Sequence, residues 1–269
     1  MTVLMDQINV AAALLGNSPS VSASVPIWFW PVVTRLGESF LLLPLAALLA
    51  GWLLWREPAS RPSVRRWLLL LGAAAGLTTL SKLAFMGWGI GSARWDFTGI
   101  SGHAMCASAV LPVLARGLVG VRSRWQTRTA VLLGYALALL VAVSRLQVQA
   151  HSVSEVIAGL LVGGIASLLA LAAWPGWRLP VWLWLLPLGV LLGAPHAPPS
   201  PVHEALIQTA LKLSGRSRPY TRQALQQRGR RWGRPPRERQ LPMPPPRQLL
   251  SRPVASSARS LTPEVGLRR

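Results

Sequence analysis

TAVLLGYALALLVAVSRLQVQAHSVSEVIAGLLVGGIASLLALAAW, residues 129–174, holds two apolar runs divided by a short polar interval. Each run is close to the ~20 residues of helix that cross a hydrocarbon core. The interval puts Ser144, Arg145, His151 and Glu155 at the abutting ends of the two runs. Ionisable groups at such places are costly and are kept for function. The stretch therefore predicts a membrane helical hairpin with chemistry at its turn.

The remainder of the chain agrees. Of 269 residues 51% are hydrophobic and 13% charged, with a mean hydropathy of +0.39, which is not the composition of an ordinary soluble domain. Runs at 39–55, 67–90, 101–121 and 179–193, the last one short, join 129–148 and 154–174 as six expected spans. A lipid environment requires backbone groups to be satisfied within each segment, so the predicted fold class is all-α, an integral membrane six-helix bundle. Residues 1–38 read as an N-terminal segment with an interfacial helix, 39–195 as the transmembrane domain and 196–227 as an outer amphipathic segment. Residues 228–269, rich in Arg and Pro, read as a disordered basic tail, because such a composition buries too little surface to offset chain entropy.

The net charge of +20 is uneven, with 13 Lys/Arg against 5 Asp/Glu before residue 204 and 15 against 3 from there on. The tail has little aromatic interleaving, so anionic lipid headgroups are its expected partner and nucleic acid is not. Residues 1–16 lack the basic start of a secretory leader, and the first span is expected to act as its own insertion signal. Cys106 is the only cysteine, which excludes an intramolecular disulfide and a cysteine-based metal site.

Arg56, Arg61, Arg65 and Arg66 fill one short interval, and Arg116, Arg122, Arg124 and Arg128 another; both are expected to be cytoplasmic. Alternation then puts Lys82, Ser101, His103, Arg145 and His151 together at the opposite, outer face. Lys82 and Arg145 offer cations to a phosphate, and Arg145 presents a planar fork. Ser101 and Gly102 open a helix, whose free N–H groups and positive dipole end favour an anion. His151 is a candidate nucleophile, Glu155 one turn later its orienting carboxylate, and His103 an acid and base for the leaving group and water.

Ile100-Ser101-Gly102-His103 and Ser144-Arg145, five residues, His151, three residues, Glu155 resemble the second and third motifs of the type 2 phosphatidic acid phosphatase superfamily. The resemblance covers about residues 80–195. It implies hydrolysis of a lipid phosphate or diphosphate through a phosphohistidine, with no metal and no cofactor, in a fold shared with vanadium haloperoxidases. Three departures stand out. Ile100 replaces a proline, Glu155 replaces an aspartate, and in the first motif, Lys, six residues, Arg-Pro, Lys82 is followed by Gly89 at the arginine position. Arg94 is the nearest outer-face substitute, whereas Lys212 to Arg218-Pro219 is one residue short and reads as coincidence. Asp96 is expected to pair with Arg94 or cap the third span, and His196 and His203 to be solvated. Arg216, Arg218 and Arg222 either border the pocket or contact headgroups. The expected setting is a bacterial inner membrane with the site facing the periplasm or outside. The alternative is a non-catalytic membrane protein that binds or helps transport a lipid phosphate.

Overall fold

The computed structural model describes Pro26 and residues 29–119, 123–172 and 201–233. Among these the chain forms helices α1 (Phe29–Arg35), α2 (Ser39–Arg56), α3 (Arg61–Trp88), α4 (Gly102–Val119), α5 (Arg124–Gln147), α6 (Val153–Ala172), α7 (Pro201–Ser214) and α8 (Arg222–Gly233), with a 3-10 turn at Pro58–Ser60. The described residues contain no strand, only an isolated bridge between Ser92 and Phe97. The chain divides into two units, Met1–Arg231 and Trp232–Arg269, and the second is described only at the last two residues of α8.

Among the described residues four segments are long and apolar enough to cross a membrane: Phe29–Arg56, Pro58–Trp88, Arg124–Gln147 and Val153–Ala172. The sixth expected span, 179–193, lies outside the described residues. The second span begins at Arg61 rather than 67, with Pro62 in the first turn, where its missing N–H costs no helical bond. Arg61, Arg65 and Arg66 therefore sit on the first turns of α3 and not in a loop.

Helix α4 is the hub, with α2, α3, α5 and α6 packed around it. Ala104, Ala107, Ala109, Val110 and Val113 are fully buried there. Small residues permit this closeness, as in other membrane helix pairs. A Cβ on Gly159 would lie 2.6 Å from the Ser101 carbonyl oxygen, and one on Gly163 would collide with the Met105 carbonyl. A Cβ on Gly134 would meet Pro112 Cα at 2.6 Å, so α5 presses against the proline that interrupts α4. Polar side chains inside the bundle bond across it: Tyr135 Oη with Ser167 Oγ at 2.8 Å, and Trp67 Nε1 to the Ala109 carbonyl at 3.3 Å. The outward faces carry exposed Leu69, Leu132, Leu161 and Leu168, a surface suited to lipid.

Both segments expected at the membrane surface pack on the bundle. Helix α1 lies against α5 and buries Val33, while Arg35 and Glu38 form an ion pair at 3.6 Å. Helix α7 packs on α3 with Ala210 buried, because Gly87 lets the Ala210 carbonyl and Ser214 come close. Residues 228–233, assigned to the tail by composition, belong to α8; residues 234–269 lie outside the described residues. Contacts stabilise this piece that its composition does not reveal: Arg228 stacks 5.2 Å from the Tyr220 ring, and the Ala224 N–H bonds to Thr221 Oγ1 at the start of the helix.

Candidate active site

Helix α3 stops where Gly89 adopts φ 71°, and the Gly89 and Ile90 N–H groups bond back to the Phe85 and Ala84 carbonyls, a glycine C-cap. The chain then doubles back through the Ser92–Phe97 bridge. Its return is pinned by the Ile100 N–H on Ser81 Oγ at 3.0 Å and the Ser101 N–H on the Glu155 carbonyl at 3.0 Å. These bonds bring the start of α4 against the start of α6.

Glu155 is the node of the site. Its side chain is fully buried, and one oxygen accepts from the Thr98 N–H at 2.7 Å and the Thr98 hydroxyl at 2.5 Å. The other is 2.7 Å from His151 Nδ1 and 3.3 Å from the Ser152 N–H. An ionised carboxylate only accepts, so the proton belongs on Nδ1 and the Nε2 lone pair is left available. Burial pushes the His151 imidazole below its ordinary pKa, with Lys82 and Arg145 acting the same way, and outweighs the opposing effect of Glu155.

His151 shares a cavity of about 480 Å³ with Lys82, Gly102, His103 and Arg145. Five positions expected at the site, drawn from α3, α4, α5 and the turn before α6, thus face one space. A Cβ on Gly102 would lie 3.7 Å from Lys82 Nζ, so the bare glycine keeps room beside the ammonium. Arg145 is held by Nη1 donating to Thr34 Oγ1 at 2.7 Å, while its buried Nε has no hydrogen-bond partner among the described residues. Phe85, Met86, Val202 and Leu206 give the cavity an apolar side.

Two expected phosphate ligands fall elsewhere. Arg94 is exposed, lies 5.7 Å from the Trp95 ring and does not line the cavity, because the turn carries it outward. Ser101 spends its N–H on the Glu155 carbonyl, and its hydroxyl is buried outside the cavity lining with no hydrogen-bond partner among the described residues. Asp96 pairs with Arg222, not Arg94. Arg222 itself lines the cavity and reaches Glu155 at 2.8 Å; no local spacing marked it beyond the arginine cluster in which it stands. His203, expected to be a solvated loop residue, lies on α7 at the cavity edge. Gly89, at the arginine position of the first motif, faces the Tyr220 ring, which a Cβ there would meet at 3.0 Å. His196 lies outside the described residues.

The PAP2 superfamily model matches residues 78–179, the segment holding Lys82, His103, Arg145, His151 and Glu155. Over 147 residues, 53% of this chain and 68% of the relative, the chain is 44% identical to an uncharacterized 22.5 kDa protein in the cps region of Klebsiella pneumoniae. No solved structure matches it. By this likeness, over a segment that includes the cavity-lining imidazoles and cations, the chain belongs to the PAP2 superfamily, the type 2 phosphatidic acid phosphatases.

Proposed function

We propose that this protein is an integral membrane phosphatase that hydrolyses a lipid phosphate or diphosphate through a phosphohistidine at the outer membrane face. Membership of a phosphatase superfamily supports action on a phosphate-containing substrate. The observation that carries the finer reading is one cavity that takes in His103, His151, Lys82 and Arg145, with the buried Glu155 carboxylate on the His151 imidazole.

Lys82 and Arg145 neutralise the phosphoryl oxygens, and charge that develops on them in the transition state meets groups already in place. His151 Nε2 attacks phosphorus as the ester oxygen departs, and Glu155 keeps the Nδ1 proton where it is. His103 gives its proton to the leaving oxygen, then takes one from the water that attacks phosphohistidine, releasing phosphate and restoring both histidines. The apolar side formed by Phe85, Met86, Val202 and Leu206 suits a lipid chain. The outer location rests on the basic residues at the start of α3, far along that helix from Lys82.

The test is phosphate release by purified protein from polyprenyl diphosphate, phosphatidate, phosphatidylglycerophosphate and soluble sugar phosphates. His151→Ala is expected to abolish release and His103→Ala to slow it sharply. Undiminished turnover by His151→Ala would end the proposal. Tight binding of polyprenyl phosphate by the native protein without hydrolysis would favour a non-catalytic lipid-phosphate binder.

A further inference from the structure

We propose that Arg222, which lies beyond the segment matching the family, is a positioning residue that bridges Asp96 to Glu155 and thereby holds the His151 imidazole in its attacking orientation. This rests on the phosphatase reading above, and it assigns a catalytic role to the C-terminal segment.

The geometry starts with the anchoring of that segment. The Tyr220 N–H bonds to the Met86 carbonyl at 2.9 Å, and the ring covers Gly89. Arg216 stacks 4.2 Å from the same ring and Arg228 5.2 Å. Thr221 then starts α8 by accepting the Ala224 N–H on its hydroxyl and the Leu225 N–H on its carbonyl. Arg222 is thus the first residue of a helix that starts two residues after Tyr220, whose ring covers Gly89, the position where the first motif has its arginine.

Donor accounting separates this arginine from a phosphate ligand. Nη1 donates to the Asp96 carboxylate and, at 3.3 Å, to the Asp96 carbonyl. Nη2 donates to Glu155 Oε1 and Oε2 at 2.9 and 2.8 Å and lies 3.4 Å from Thr98 Oγ1. Both terminal nitrogens are therefore committed to protein acceptors, unlike Arg145 with its unpartnered Nε. Asp96 is held in turn by Gln226 Nε2 at 3.2 Å, so α8 grips the loop at two points. The bridge also sets a charge balance. Glu155 is buried between Arg222 and His151, and with the guanidinium removed its charge is compensated by a proton moving onto the imidazole. The titratable and charged groups that share the cavity with His151 are Lys82 from α3, His103 from α4, Arg145 from α5, His203 from α7 and Arg222 from α8, with Glu155 from α6 bonded to the imidazole.

The experiment uses full-length protein in detergent, phosphatidate in mixed micelles, and the variants Arg222→Gln, Arg222→Lys and Asp96→Asn. Native protein and His151→Ala serve as references. Arg222→Gln is expected to lower kcat about tenfold to a hundredfold with little change in KM. It should also move the acid limb of kcat/KM to higher pH, since one cation no longer opposes imidazole protonation. Arg222→Lys should keep the acid limb in place yet lose part of kcat, because an ammonium cannot span both carboxylates. Asp96→Asn, which keeps the guanidinium but frees one of its ends, should lose part of kcat without moving the acid limb to higher pH. Thermal unfolding checks the fold, and if Arg222→Gln does not fold, the lysine and asparagine variants carry the test. An unchanged kcat and acid limb in folded variants would overturn the proposal, as would a raised KM at unchanged kcat, the mark of a group that only binds substrate in the ground state. NMR titration of His151 reads the bridge without turnover: a higher midpoint in Arg222→Gln supports it and an unchanged one overturns it. Absence of phosphate release by the native protein would instead remove the phosphatase reading, and full activity of His151→Ala would remove its phosphohistidine.

Discussion

Replacing Glu155 by Gln alters the most heavily bonded group of the site and tests whether the carboxylate sets the histidine tautomer. The native side chain, fully buried, accepts from Thr98 twice, from Ser152, from Arg222 and from His151 Nδ1. A glutamine has one acceptor oxygen and an NH2 group that only donates. With its oxygen kept on Thr98, the NH2 group faces His151 and also the Ser152 and Arg222 donors. The imidazole must then accept at Nδ1 and carry its proton on Nε2, the nitrogen required for attack. With the amide reversed, the two Thr98 donors lose their acceptor. Either arrangement leaves about two donors unpaired at about 1–3 kcal/mol each, which agrees with the roughly 3–5 kcal/mol for breaking a buried charged pair. A wrong tautomer in a comparable carboxylate–histidine arrangement lowers kcat on the order of 10⁴-fold, about 5 kcal/mol of barrier. Phosphate release and thermal unfolding in detergent measure both effects. A Glu155→Gln protein with kcat within about tenfold of native would refute the tautomer argument.

Three further outcomes are expected. Gly163→Leu, which drives a side chain into the Met105 carbonyl and Ser108, should cost at least about 1–3 kcal/mol of stability, whereas Gly164→Leu, with nothing within 4 Å of its Cβ position, should be tolerated; equal unfolding temperatures would contradict the α4–α6 contact. His151 must be neutral to attack, and burial lowers its pKa, so the acid limb of kcat/KM should have its midpoint below about pH 6.5; a midpoint at or above that value would mean that Glu155 outweighs burial. Arg145→Ala should lower kcat by about 10²–10³-fold, while Arg94→Ala, an exposed residue outside the cavity lining, should leave it within about twofold; the reverse ranking in a phosphate-release assay would undo the placement of the cations.

The all-helical class was legible because apolar run length and the demand for backbone satisfaction leave few other structures. His151 and Glu155 were legible for a local reason: four residues apart, in the turn before α6 and in its first turn, they are brought close by local backbone geometry. The shared location of Lys82, His103, Arg145 and His151 followed from the alternation of spans. Hydrophobic periodicity, however, reports that a face is covered and not what covers it. So α7 could be read as amphipathic, while its contact with α3 through Gly87 could not.

The order of residues determined by itself a helical membrane bundle with two imidazoles and two cations at one end, since segment length, charge and helical period are properties of the chain taken locally. Only the tertiary structure decided that Arg222 rather than Arg94 meets Asp96 and Glu155, that Thr34 holds Arg145, and that Ser101 gives its N–H to the Glu155 carbonyl. Those bonds join residues separated by as many as 126 positions, and what brings them together is the shape of the surfaces that pack between them.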